Sequence, residues 1–126
     1  MIQEIHTTDA PGAVGPFSQA IKVGDLLFVS GQLPIDPATG EFNSDDAVAQ
    51  AEQCLKNLAA IAAAAGTSLA STVKTTVLLT DLGKFADINA VYAGFFSKPY
   101  PARACYEVSA LPKGAKVEIE AVIALA

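Results

Sequence analysis

The run Arg103-Ala104-Cys105-Tyr106-Glu107-Val108-Ser109 is followed, after the connector Leu111-Pro112-Lys113-Gly114, by Lys116-Val117-Glu118-Ile119-Glu120-Ala121-Val122-Ile123-Ala124. Both runs read as β-strands, because apolar residues recur at every second position. Side chains in a strand alternate between faces. Val117, Ile119, Ala121 and Ile123 therefore share one side, and Glu118, Glu120, Val122 and Ala124 the other. In the earlier run Arg103, Cys105 and Glu107 oppose Ala104, Tyr106 and Val108. If the apolar sides meet helices, Arg103, Cys105 and Glu118 lie together on an uncovered face. A cation and a carboxylate there are enough to bind one small amphoteric substrate and move its protons. Alternation gives the shared face but not the distance.

Working outward, Ile2 to Thr7 reads as a first strand and Gly12 to Phe17 as loop. Ser18 to Val23 and Leu26 to Gln32 read as a hairpin about Gly24-Asp25. Asp36 to Gly40 is turn chemistry. A helix is expected from about Asp45 to Ala65, with Ser44 as N-cap and Asp45 and Asp46 at the positive end of its dipole. Val48, Ala51, Leu55, Leu58 and Ala62 make its apolar face, and Gly66 ends it. Thr72 to Thr80 is a β-branched strand. A second helix is expected over roughly Lys84 to Ser97, stopped by Pro99 and Pro101, with Phe85, Ile88, Val91, Tyr92, Phe95 and Phe96 inward. The order β-β-β-α-β-α-β-β makes an α+β fold: a mostly antiparallel sheet with two helices on one face. The other face must be polar or meet another subunit.

The 126 residues suit one domain, residues 1–126, and no linker or repeat divides them. Hydrophobic residues make up 52%, much of the excess being Ala, which leaves apolar area for subunit contacts. The N-terminus shows no secretory pattern, and Leu58 to Ala65 is too short to cross a bilayer. Two cysteines, Cys54 and Cys105, form no Cys-x-x-Cys pair, so neither a disulfide framework nor a zinc knuckle is expected. A reducing cytoplasmic setting is the natural reading. The net charge is −5, and Arg103 is the one arginine beside scattered lysines. Nucleic-acid binders carry a basic stripe, which this chain lacks. No membrane partner is expected either.

The stretch Pro101-Ala102-Arg103-Ala104-Cys105-Tyr106, with Ser109-Ala110-Leu111 and Val117-Glu118-Ile119, resembles the signature of the RidA/YjgF family. Similar stretches are Gly15-Pro16-Phe17-Ser18-Gln19, Ser30-Gly31-Gln32-Leu33-Pro34 and Val73-Lys74-Thr75-Thr76-Val77, with Asn89 and Phe95-Phe96. The resemblance spans nearly the whole chain. It implies a chorismate-mutase-like homotrimer with sites between subunits, no cofactor and no metal. It also implies hydrolysis of 2-aminoacrylate and 2-iminobutanoate to 2-oxo acids and ammonia. By that resemblance Arg103 holds the substrate carboxylate, and Glu118 positions or activates water. Backbone groups of Gly31 and Cys105 address the nitrogen end, and Ser30 and Asn89 shape the pocket. Phe17 stands where many relatives carry Tyr, so its wall is aromatic without a hydroxyl.

Each residue also has a plainer reading. Arg103 and Glu118 would pair as an ion bridge across adjacent strands. Cys105 would be a small buried hydrophobe, Ser30 a strand-end hydrogen-bonding residue, and Asn89 a helix-surface residue. Glu120 shares the face of Glu118, and spacing does not separate the two. A Cys/His nucleophile pair has little support, since His6 is the sole histidine. The competing functions are a non-catalytic small-molecule-binding module on the same fold, a ribonuclease and a chorismate-mutase-like isomerase. The charge balance argues against the ribonuclease, and a dicarboxylate substrate would call for more than one arginine.

Overall fold

The structure, a computed structural model, describes residues 1–125. Ala126, the last residue of the expected domain, lies outside the described residues. In chain order the elements are β1 (Ile2–Ile5), β2 (Ala20–Val23), β3 (Leu26–Gln32), β4 (Ile35–Asp36), β5 (Glu41–Phe42), α1 (Ala47–Ala64), β6 (Thr72–Leu79), α2 (Phe85–Ala93), β7 (Ala102–Glu107) and β8 (Val117–Ala124). The main sheet runs β1-β2-β3-β8-β6-β7. Only the β6–β7 pair is parallel. This is the expected α+β architecture with a mostly antiparallel sheet. β4 and β5 form a separate two-stranded hairpin around the Asp36–Gly40 turn, too short to show a period in the sequence.

α1 lays Ala51, Leu55, Leu58 and Ile61 on the sheet, where they meet Val117, Ile119 and Ile123 of β8 in the core. The many alanines keep the helix backbone close to the sheet. The N-cap is Asp46, not Ser44: its carboxylate accepts from the Ala49 N–H at 3.0 Å, and Ser44 Oγ accepts from the Asp46 N–H one step earlier. At the far end Gly66 adopts φ 82°, and the Thr67 N–H reaches back to the Ala62 carbonyl, which closes the helix as expected. α2 is shorter than expected. It ends at Ala93, where the Gly94 and Phe95 N–H groups tighten onto the Val91 and Tyr92 carbonyls, well before the prolines. β1 stops at Ile5, and the Thr7 N–H leaves the ladder for the Gln19 side chain.

Two expectations about the chain's last strands are corrected. β7 and β8 are not neighbours, because β6 lies between them. A β6–α2–β7 connection makes a parallel pair, which needs a helical crossover, and it carries β7 to the sheet edge. Nor do Arg103 and Cys105 share the face of Glu118. Arg103 is level with Thr75 and Ala121, and Cys105 with Val77 and Ile119, all on the helix side. Glu118 is level with Leu78 and Tyr106 on the open side. As an edge strand β7 leaves both its faces partly exposed, so burial does not sort its side chains the way it sorts those of β8.

The open face carries exposed Ile2, Val23, Leu26, Phe28 and Tyr106 around Glu118, Glu120 and Lys74. No helix of the described residues is long and apolar enough to cross a membrane.

Candidate functional site

The residues singled out from the sequence fall into two groups. The first lines a cleft of about 550 Å³ at one end of the open face, which brings together Phe17, Ser30, Gly31, Glu118 and Glu120. A bulge in β3 builds it. Val29 is level with Ala121 and Gln32 with Ile119, so Ser30 and Gly31 together oppose Glu120. Such bulges re-aim the chain beside functional sites. Here the bulge presses Gly31 against the neighbouring carboxylate. A Cβ on Gly31 would lie 2.6 Å from Glu118 Oε2 and 2.9 Å from its Cδ, so only glycine fits beside Glu118 as it stands. Burial first, and the charge of Glu120 second, push the Glu118 carboxyl above its ordinary value of 4.5. Glu120 is more exposed than Glu118. The Ser30 hydroxyl donates to the Ser18 carbonyl at 2.6 Å, which makes it a brace for the cleft wall as well as a lining residue.

The second group sits at the β7 edge against α2. The Arg103 guanidinium donates to Asn89 Oδ1 at 2.7 Å and lies over the rings of Tyr92 (4.9 Å) and Phe85 (5.4 Å). Tyr92 is itself pinned by a 2.6 Å hydrogen bond to the Thr75 hydroxyl. Burial raises the Tyr92 phenol, while the Thr75 bond and the charge of Arg103 oppose that shift. The guanidinium is therefore held by one amide and two ring faces, and its other N–H donors remain for a planar anion. Cys105 follows on the same face. Burial raises its thiol, Arg103 only partly offsets this, and the group is no activated nucleophile. Its packing against the core fits the small-hydrophobe reading. Cys54 is fully buried, and desolvation holds its thiol far above the usual range.

The two groups do not meet within one chain. Arg103 and Glu118 stand two strands and three register positions apart, roughly 14 Å between Cα atoms, on opposite faces. The ion bridge across adjacent strands is thereby excluded. Sequence reasoning missed the cleft's apolar wall of Val14, Leu33, Ile35 and Pro112, and its one cation, Lys113. Lys113 has φ 60° in the turn before β8, a left-handed conformation uncommon for a lysine. The only hint was its position in a connector one turn before Glu118. Among the described residues, no group of three His, Cys, Asp or Glu side chains is arranged to hold a metal ion.

Fold and site together define a class: a helix-backed α+β unit that carries a carboxylate cleft at one place and an exposed arginine, held by an amide and two rings, at another. Comparison with known proteins agrees. The family model described as Endoribonuclease L-PSP matches residues 7–125. The chain is 85% identical over 125 residues to the RutC family protein y4sK of Sinorhizobium fredii (strain NBRC 101917 / NGR234), covering 99% of each. It is 48% identical over 118 residues to the human 2-iminobutanoate/2-iminopropanoate deaminase, covering 94% of this chain and 86% of that protein. Among solved structures, RidA from the Antarctic bacterium Psychrobacter sp. PAMC 21119 superposes with a TM-score of 0.94 at 52% identity, covering 97% and 98% of the two chains. The chain belongs to the RidA/YjgF/RutC family.

Proposed function

We propose that this chain is a 2-iminobutanoate/2-iminopropanoate deaminase. It hydrolyses 2-aminoacrylate and 2-iminobutanoate, through their imine forms, to 2-oxo acids plus ammonia, in the cytoplasm and without cofactor. Residues 1–126 act as one unit of a homotrimer, and each site forms between subunits. The observation that carries this reading is the split arrangement: an arginine prepared for a planar carboxylate and a glutamate in a cleft, too far apart in one chain to hold one small molecule. The apolar open face that bears the cleft is the surface a second subunit would cover. Relatives named as imine deaminases support the substrate class.

In the shared site Arg103 binds the substrate carboxylate through two parallel N–H groups, and Asn89 keeps the guanidinium turned toward it. Phe17 walls the reacting carbon. Water adds to the C=N carbon while Glu118 takes its proton and passes it to the nitrogen. Glu118 then carries the proton of the new hydroxyl to the amine, so that the C–N bond breaks, ammonia leaves, and the carbonyl forms. Backbone groups of Gly31 and Cys105 face the nitrogen end, and Ser30 supports the wall. A carboxyl raised by burial suits the transfer, because its affinity for the proton lies closer to working pH. The family model's description names an endoribonuclease. A net charge of −5 and one arginine argue against phosphate-backbone binding here.

The test is a coupled assay. A pyridoxal-phosphate dehydratase generates the imine, semicarbazide traps it, and the protein competes with the trap. The proposal expects less semicarbazone and more 2-oxo acid without added metal. Saturable ligand binding with unchanged semicarbazone formation would instead identify a non-catalytic binding module.

A further inference from the structure

Two buried carboxamides, Gln19 and Asn57, bond backbone groups in the cleft's walls or in the segment leading into them. Gln19, 2% exposed, accepts from the Thr7 N–H at 2.7 Å. Its Nε2 donates to the Thr7 and Pro11 carbonyls at 3.0 and 2.8 Å, with a longer 3.4 Å approach to that of Ala10. These are the residues that lead into Gly12, Val14 and Phe17 on the outer wall. Asn57 of α1, 1% exposed, donates from Nδ2 to the Leu33 and Ile35 carbonyls at 3.1 and 2.9 Å. Leu33 and Ile35 form the inner wall. Gln53, one turn earlier on α1, donates to Asn57 Oδ1 at 2.9 Å and fixes which way that amide points.

Neither wall is held by the ladder of the main sheet. The outer wall runs outside regular structure, and the inner wall passes from Leu33, just beyond β3, to Ile35 in the short β4–β5 hairpin. A buried amide is costly unless its donors and acceptors are met, and when they are met it fixes one arrangement. An apolar side chain of similar volume would fill the same space at least as well and would leave the walls loose. The placement of amides at these two points, tied to backbone in the inner wall and to backbone leading into the outer wall, therefore points to site geometry.

We propose that Gln19 and Asn57 are positioning residues: they hang the two walls of the Glu118 cleft at a fixed separation, so that the imine is bound between them. This rests on the deaminase reading for its kinetics but not for its structural half. A loosened wall loses binding that substrate and transition state share, which raises KM and leaves kcat nearly unchanged. The loss should appear chiefly as a raised KM, because Glu118 and its proton chemistry remain.

The experiment has two arms. In the unaltered protein, amide hydrogen exchange should show the Thr7 N–H protected like the strand amides beside it. Exchange of Thr7 at the rate of a free loop would overturn the proposal without any variant. In Gln19→Leu and Asn57→Leu, exchange should speed up at residues 7–14 and 33–36 respectively, with β6 and β8 amides unchanged. KM should rise ~10-fold or more while kcat changes less than about threefold. Gln19→Asn and Asn57→Gln, which keep the amide at a different reach, should recover part of the KM. Protection lost across the whole sheet, or walls that loosen with KM unchanged, would show the amides to be plain core residues. If the unaltered protein turns over no imine at all, the exchange arm still decides the structural half, and the deaminase reading fails by itself.

Discussion

Glu118 and Arg103 carry the residue-scale account, and the structure gives them different costs. The Glu118 carboxyl is raised by burial and by Glu120. Such a group contributes stability in full below its unfolded value near 4.5, and that contribution is lost as pH rises through the higher folded value. At pH 7 the ionised form is therefore a cost to the fold. Glu118→Gln should lower kcat by ~10²–10⁴-fold. It should also melt above the parent at pH 7, with the gap closing as pH falls toward 4. Melts of both proteins across that range check it. Glu120→Gln should leave most activity and move the acidic limb of the pH–rate profile downward, since removing a neighbouring negative charge favours ionised Glu118. Arg103 makes no ion pair with Glu118, so replacing it orphans no carboxylate. Arg103→Lys should cost roughly 10- to 150-fold in kcat/KM, the value of a charge-assisted bond. Arg103→Ala should cost more, and kinetics with melts should show little change in Tm for either. Glu118 and Arg103 could be singled out as candidates from the sequence because their motifs are local. Lys113 and the amides of Gln19 and Asn57 could not, because their partners lie far along the chain and no period marks them.

At the scale of elements, the β3 bulge and the β7 edge decide the site. The period-2 pattern of β8 read correctly because one of its faces is wholly buried. The same reading failed for β7, where neither face is, and Arg103, Cys105 and Glu107 are about as exposed as Ala104 and Tyr106. Helix α1 was legible from its apolar spacing and from Gly66. Its true cap, Asp46, was hidden by two other capping residues beside it, Ser44 and Asp45. The bulge at Ser30 and Gly31 left no trace in the pattern, yet it sets the contact with Glu118. Gly31→Ala should therefore push the carboxylate aside and lower kcat ~10-fold or more. In a Glu118→Gln background the same change should cost almost nothing further, because both act on one group. A double-mutant cycle measures this, and additive losses would place Gly31 outside the Glu118 chemistry.

For the molecule as a whole, strand order converts a local motif into a statement about assembly. Sequence pattern predicted an uncovered face, and the sheet has one, lined with Phe28, Leu26, Val23 and Tyr106. It did not foresee that β6 separates β7 from β8, which places Arg103 and Glu118 on opposite faces. That order follows from the parallel crossover through α2, a long-range pairing that alternation does not encode. Under the proposed function, Arg103 of one subunit and Glu118 of another complete one site. The most direct measurement mixes Arg103→Ala and Glu118→Gln subunits in equal amounts, unfolds and refolds them together, and assays the product. Random assembly around a closed ring leaves an intact pair at about a quarter of the junctions. The mixture should recover about a quarter of the parent's kcat per subunit, from two proteins that are nearly inactive alone. Activity in the mixture no greater than the average of the two separate variants would contradict the shared site.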